Sequence, residues 1–113
     1  MKLGPWEGLS EDLVAEKFPD ECKIWNSKPS QLELEGRETL KELQLRALKA
    51  VKKFSNSSEN LKILAVSHVA IIRVLITHFN NMSIDDYRVI DIPNGAVFLL
   101  NNKTQKKKIS RIF

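Results

Sequence analysis

The chain has 113 residues and a mass of 13.0 kDa, with 42% hydrophobic and 28% charged residues, a composition that fits one ordinary globular domain and excludes collagen-like, low-complexity and disordered chains. No apolar run approaches the roughly 20 residues of a membrane span, residues 1–5 lack the apolar core of a secretion signal, and the single cysteine, Cys22, can close no intramolecular disulfide, so a cytoplasmic protein with no membrane partner is expected. The net charge of +4 belongs to the tail: Lys103, Lys106, Lys107, Lys108 and Arg111 follow Asp91 with no acid among them, while residues 1–91 carry 13 basic against 14 acidic groups, which makes nucleic acid an unlikely partner.

In chain order, residues 3–9 are a turn-rich entry around Trp6. Ser10 offers an N-cap, with Glu11 and Asp12 in the first helical turn, where the helix dipole favours negative charge. Leu13, Val14 and Phe18 form the expected apolar stripe, and Pro19 stops that helix. A second helical piece is expected over 20–26, anchored by Ile24 and Trp25, followed by a loop over 27–30. From Glu38 onward, Leu40, Leu43, Ala47, Ala50, Val51 and Phe54 recur at spacings of three and four, which predicts one long amphipathic helix.

Residues 61–67, Leu-Lys-Ile-Leu-Ala-Val-Ser, are a short apolar run without alternation, the pattern of a strand buried on both faces of a parallel sheet. Helical spacing returns in Ile71, Ile72, Leu75, Ile76 and Phe79, and Asn80-Asn81 closes that helix. Pro93-Asn94-Gly95 is a turn, 96–100 an apolar strand, 101–104 a hairpin loop, and 109–113 a returning strand. This order points to an α/β layered domain with few strands of its own, and no linker divides it.

Ligands in open α/β sheets bind beyond the carboxyl ends of strands, and Ser67 and His68 stand at such a strand-to-helix junction. The free amides of Val69, Ala70 and Ile71 would face an anion there, with the helix dipole adding to the attraction. By pattern alone Ser67 either caps the helix while His68 packs, or the two serve a phosphoryl group.

Several short blocks resemble the middle and end of histidine phosphatases of the phosphoglycerate-mutase-like superfamily. They are Gly4-Pro5-Trp6-Glu7-Gly8-Leu9-Ser10, Phe18-Pro19, Trp25, Gly36-Arg37-Glu38-Thr39 with Glu42 and Arg46, Val66-Ser67-His68 with Ile72-Arg73, and Pro93-Asn94-Gly95. Gly36-Arg37-Glu38-Thr39 is similar to that family's Gly-Gly-Glu-Ser helix start, and Val66-Ser67-His68 to its second histidine motif. The resemblance implies a partial three-layer α/β/α sandwich formed by a single truncated domain over 1–113. It also implies phosphate-monoester hydrolysis or phosphoryl transfer, with a phosphate or phosphate ester as ligand. It gives His68 the catalytic role of the second histidine and makes Ser67, His68 and Val69 the phosphate-binding set, Ser67 orienting the imidazole and the residue-69 amide contacting phosphate. No cofactor or metal is implied.

The departures are equally specific. The chain holds two histidines, His68 and His78, and no Arg-His-Gly, the motif that carries the family's nucleophile. The clamping arginines and the general acid would also fall before Met1, and Val69-Ala70 replaces a glycine-rich pair. These features lead to the expectation that the chain is inactive alone and acts as a homodimer or with a missing N-terminal half. Two alternatives stay open: a non-catalytic phosphate-binding or interaction module, and a nucleic-acid binder using the basic tail. His78, Cys22, Glu7, Glu38, Arg73, Asp85 and Asp86 are read as surface, capping or ion-pairing residues, and Trp6 and Trp25 as core or pocket-wall aromatics.

Overall fold

The structure, a computed structural model, describes residues 1–55, 62–101 and 108–113. Four helices carry it: α1 (Glu11–Lys17), α2 (Pro19–Ser27), α3 (Leu40–Ser55) and α4 (Val69–Phe79). Short 3-10 helices at Gly4–Trp6, Pro29–Gln31 and Ile84–Val89 join them, and strands β1 (Phe98–Leu100) and β2 (Ile109–Arg111) pair antiparallel, Leu99 opposite Ser110.

Local chemistry sets the helix ends. The Ser10 hydroxyl accepts from the Leu13 amide, and Pro19 stands at the first position of α2. A reciprocal capping box opens α3: the Thr39 amide donates to Glu42 at 2.9 Å and the Glu42 amide to the Thr39 hydroxyl at 3.1 Å. This explains why the helix begins at Leu40 and not at Glu38. At the end of α4, Asn81 takes a left-handed φ of 53° while the Met82 amide donates to the Thr77 carbonyl and the Asn81 amide to that of His78, a Schellman closure.

Leu40, Leu43 and Ala47 of α3 pack with Val74 of α4 and with Tyr87 in one core. A second core gathers Trp6, Val14 and Leu32, and Trp25 packs against both. The α3–α4 seam is closed by Gln44, whose amide donates to the Val74 carbonyl and the fully buried Thr77 hydroxyl at 3.0 and 3.2 Å. The deepest α4 positions are thus Val74, Ile76 and Thr77; of the expected stripe, Ile76 is among them, Ile71 and Leu75 pack half-buried against the core, and Ile72 and Phe79 are half-buried. That helix is apolar nearly all round, so spacing alone could not select its inner face. The Asn80 side chain receives the Ile109 amide at 2.8 Å and donates to its carbonyl at 3.0 Å, fastening β2 to the end of α4.

One expectation is corrected. The strand over 61–67, buried on both faces, is not formed: residues 62–67 belong to no regular element and are exposed, Leu64 at 87% and Val66 at 95%. A strand is held by its neighbours' backbone groups, and among the described residues no strand lies beside this run. Of the expected partial α/β/α sandwich, the described residues form the helices and one two-stranded ribbon. The expected strands over 96–100 and 109–113 are shorter as ladders, although the Val97 amide reaches the Phe113 carbonyl at 3.0 Å. The hairpin loop over 101–104 lies outside the described residues except for Asn101, as do Lys103, Lys106 and Lys107. No helix among the described residues is long and apolar enough to cross a membrane.

Candidate functional site

The structure sets Ser67, His68 and Val69 together at the start of α4, all three exposed. His68 is the N-cap residue, with extended backbone (φ −98°, ψ 155°), and its side chain makes no capping hydrogen bond. Its carbonyl accepts from the Ile72 amide at 3.1 Å, which closes the first turn. The amides of Val69, Ala70 and Ile71 therefore lead the helix without intrahelical acceptors, beside an imidazole facing solvent. Such an end attracts an anion through both its N–H groups and its dipole. His78 is exposed at the far end of α4, its ring 5.1 Å from that of Phe79, about 15 Å along the axis from His68 by helix rise.

Behind this junction, Arg73 donates from Nε to the Ile90 carbonyl at 2.8 Å and lies 5.3 Å from the Tyr87 ring centroid. Burial pushes the Tyr87 phenol above its ordinary pKa, and the Arg73 charge opposes the shift. Asp85 accepts the Ser30 amide at 2.9 Å and so ties two turns. Among the described residues no three His, Cys, Asp or Glu side chains are grouped to hold a metal ion.

Glu7 and Glu38 take capping and ion-pairing positions. The Glu7 carboxylate accepts the Leu3 amide at 3.0 Å. Glu38 receives Arg46 in a two-pronged pair at 2.9 and 3.2 Å, together with the Lys2 amide at 3.3 Å. Arg46 thereby holds the Glu38 carboxyl below its usual range, although partial burial acts the other way.

Arg37 was not among the residues singled out from the sequence. It is 7% exposed, and its guanidinium lies 4.4 Å from the Trp6 ring centroid and 4.8 Å from that of Trp25. Burial pushes its pKa down, with Tyr87 acting the other way. Among the described residues neither Arg37 Nη1 nor Trp6 Nε1 has a hydrogen-bond partner. The available signal was an arginine standing where Gly-Gly-Glu-Ser would put a second glycine. Arg37 also borders a wide depression of 810 Å³ lined by Met1, Lys2, Gly36, Glu38, Glu42 and Arg46.

The helices, the ribbon and the His68 junction define a phosphoglycerate-mutase-like fold. The chain superposes on Bacillus stearothermophilus YhfR with a TM-score of 0.83 at 21% identity, over 97% of this chain and 55% of that one. The sequence model of the Histidine phosphatase superfamily (branch 1) matches residues 1–113, and the chain belongs to that family. It is 19% identical over 109 residues to Phosphoserine phosphatase 1 of Hydrogenobacter thermophilus (strain DSM 6534 / IAM 12695 / TK-6), covering 96% of this chain and 52% of that protein. The chain therefore spans about half the length of both relatives.

Proposed function

We propose that these residues form the second-histidine part of a histidine phosphatase site, acting on a phosphate monoester. In this reading His68 holds the transferring phosphoryl group, and the Val69 amide at the α4 N-terminus shares its charge. Ser67 orients the imidazole. The name of the Hydrogenobacter relative supports a phosphomonoester as the substrate class. The observation that carries the reading is the exposed, uncapped His68 at the head of α4, in a chain matched to the family from end to end.

Covalent phosphoryl transfer needs a nucleophile and preorganised positive groups around the spreading charge. These 113 residues hold no Arg-His-Gly. Turnover in this reading therefore requires a polypeptide that supplies this motif with the clamping arginines and general acid. Residues 62–67 are where such a partner would add a strand: Ile63 is 52% exposed, Leu64 87% and Val66 95%, and exposed apolar edges pair with whatever offers a backbone. A second copy of the chain is the other occupant, and pairing of either kind would complete the layered α/β/α sheet.

The test is hydrolysis of a phosphate monoester by the chain alone and mixed with a polypeptide carrying the family's Arg-His-Gly half. The reading expects no turnover alone, turnover in the mixture, and its loss with His68→Ala. Turnover by the chain alone, or a mixture indifferent to His68→Ala, would overturn it. A chain that stays monomeric and soluble at high concentration would count against an exposed pairing edge.

A further inference from the structure

We propose that Asn94-Gly95, in the turn that leads into β1, is a site of spontaneous covalent modification. The Gly95 amide nitrogen closes on the Asn94 side chain and converts it, through a cyclic imide, to aspartate and isoaspartate. The site is independent of the phosphoryl-site reading.

Asn94-Gly95 is the chain's one Asn-Gly pair, and its surroundings leave it free to react. Both residues are exposed. Gly95 has a φ of +78°, and a Cβ built there would meet nothing within 4 Å, so the space around it is open. Among the described residues neither the Gly95 amide nor the Asn94 side chain has a hydrogen-bond partner. The Ala96 amide donates to the Pro93 carbonyl at 3.1 Å, and with the positive φ at Gly95 this makes a type II turn. Three other asparagines are held. Asn26 lies in α2 with its amide on the Cys22 sulfur and its oxygen receiving Arg88. Asn80 exchanges two bonds with Ile109, and Asn81 precedes Met82, whose amide is bound to the Thr77 carbonyl.

Water is the only co-reactant. The Gly95 amide gives its proton to solvent base and its nitrogen attacks Asn94 Cγ. A C–N bond forms, the Cγ–Nδ2 bond breaks, and ammonia leaves. Water then opens the imide. Addition at Cγ gives aspartate on the original main chain, and addition at the Asn94 carbonyl carbon gives isoaspartate, whose main chain runs through the former side chain. Each product carries a new carboxylate. Isoaspartate also places an extra main-chain carbon between Ile90, which Arg73 holds, and Val97, which pairs with Ile112 and Phe113. Ring closure turns the Asn94 Cα–C bond, and the hydrogen bond from Ala96 to Pro93 is what opposes that rotation.

The experiment incubates the folded full chain at mildly alkaline pH beside a sample unfolded in guanidinium chloride, and follows tryptic peptides by mass spectrometry, with fragmentation to place each change. The peptide bearing Asn94 should resolve into two products of equal mass, oxygen replacing NH at that residue, while Asn26, Asn80 and Asn81 stay unconverted over the same interval. Opening the turn costs the folded chain a single hydrogen bond, so its conversion should be at most about tenfold slower than that of the unfolded chain. The proposal is overturned if the folded chain does not convert at Asn94 or lags the unfolded chain by more than about tenfold. It is also overturned if aspartate is the sole product, since direct hydrolysis needs no attack by Gly95, or if Asn26, Asn80 or Asn81 converts as fast as Asn94.

Discussion

Arg73 and Ile90 are joined by a 2.8 Å hydrogen bond from Nε to the backbone carbonyl, and this bond ties the helix headed by His68 to the segment before the Pro93-Asn94-Gly95 turn. The same guanidinium lies over Tyr87 at 5.3 Å, and Tyr87 packs in the core with Leu43 and Val74. One side chain thus couples the His68-headed helix α4 to the main core.

Arg73→Met should therefore destabilise the chain by about 1–2 kcal/mol, because the Ile90 carbonyl loses a charged donor and the ring loses its cation. Arg73→Lys should recover little, since a point charge replaces a planar fork. Urea denaturation followed by circular dichroism measures both. A loss below a few tenths of a kcal/mol in Arg73→Met would show that the coupling is absent.

Gly4 is the most demanding backbone position. Its φ is +59°, and a Cβ there would stand 2.8 Å from the Arg37 amide nitrogen and from the Gly36 carbonyl carbon. This close approach lets Leu3 bridge to Arg37, which seats Arg37 beside Trp6. Gly4→Ala should lose at least about 1–2 kcal/mol from the left-handed backbone alone, with a further cost from the clash. Gly8, at φ +77° with open space around it, isolates the backbone part: Gly8→Ala should cost less than Gly4→Ala in the same denaturation assay.

Much of the helical part could be read from the sequence because its signals are local. Ser10 announced α1, Pro19 divided α1 from α2, and the three-and-four spacing of Leu40, Leu43 and Ala47 marked the inner face of α3. Asn80-Asn81 marked the end of α4, and the structure closes it there. What failed was non-local. The run 61–67 has the composition of a buried strand, but a strand needs a neighbour, and residues 62–67 have none among the described residues. In the candidate site, Ser67, His68 and Val69 are contiguous and could be proposed from sequence order. Arg37 acquires its character only through Trp6 and Trp25, 31 and 12 residues before it, and no local pattern predicts that juxtaposition.

Acid should weaken the Glu38–Arg46 pair. Arg46 keeps the folded-state pKa of Glu38 below its unfolded value, so the pair's contribution is present above the ordinary carboxylate pKa of about 4.3 and is lost as pH falls through the lower folded value. Solvent around Arg46, whose side chain is 57% exposed, keeps the effect small and salt-sensitive. Glu38→Gln should flatten the acid limb of the stability–pH curve between about pH 5 and 3. An unchanged limb would place the acid sensitivity elsewhere.

Alkali acts through Tyr87 with the opposite sign. Burial raises its folded-state pKa above the unfolded value, so the contribution is complete below about pH 10 and declines as pH rises through the folded value. Tyr87→Phe should remove this alkaline loss, read as thermal stability at pH 9 and above. A Phe variant as alkali-sensitive as the parent chain would contradict the assignment.

The most direct test of the phosphoryl-site reading is the pair of histidine ring signals in a proton–carbon NMR spectrum during a titration with inorganic phosphate. His68 and His78 are the chain's two histidines, at opposite ends of α4, so His78 serves as an internal reference for changes in pH and salt. The account predicts a saturable shift of the His68 signal with His78 unmoved. A His68 signal that stays still, or that moves only in step with His78, would contradict it.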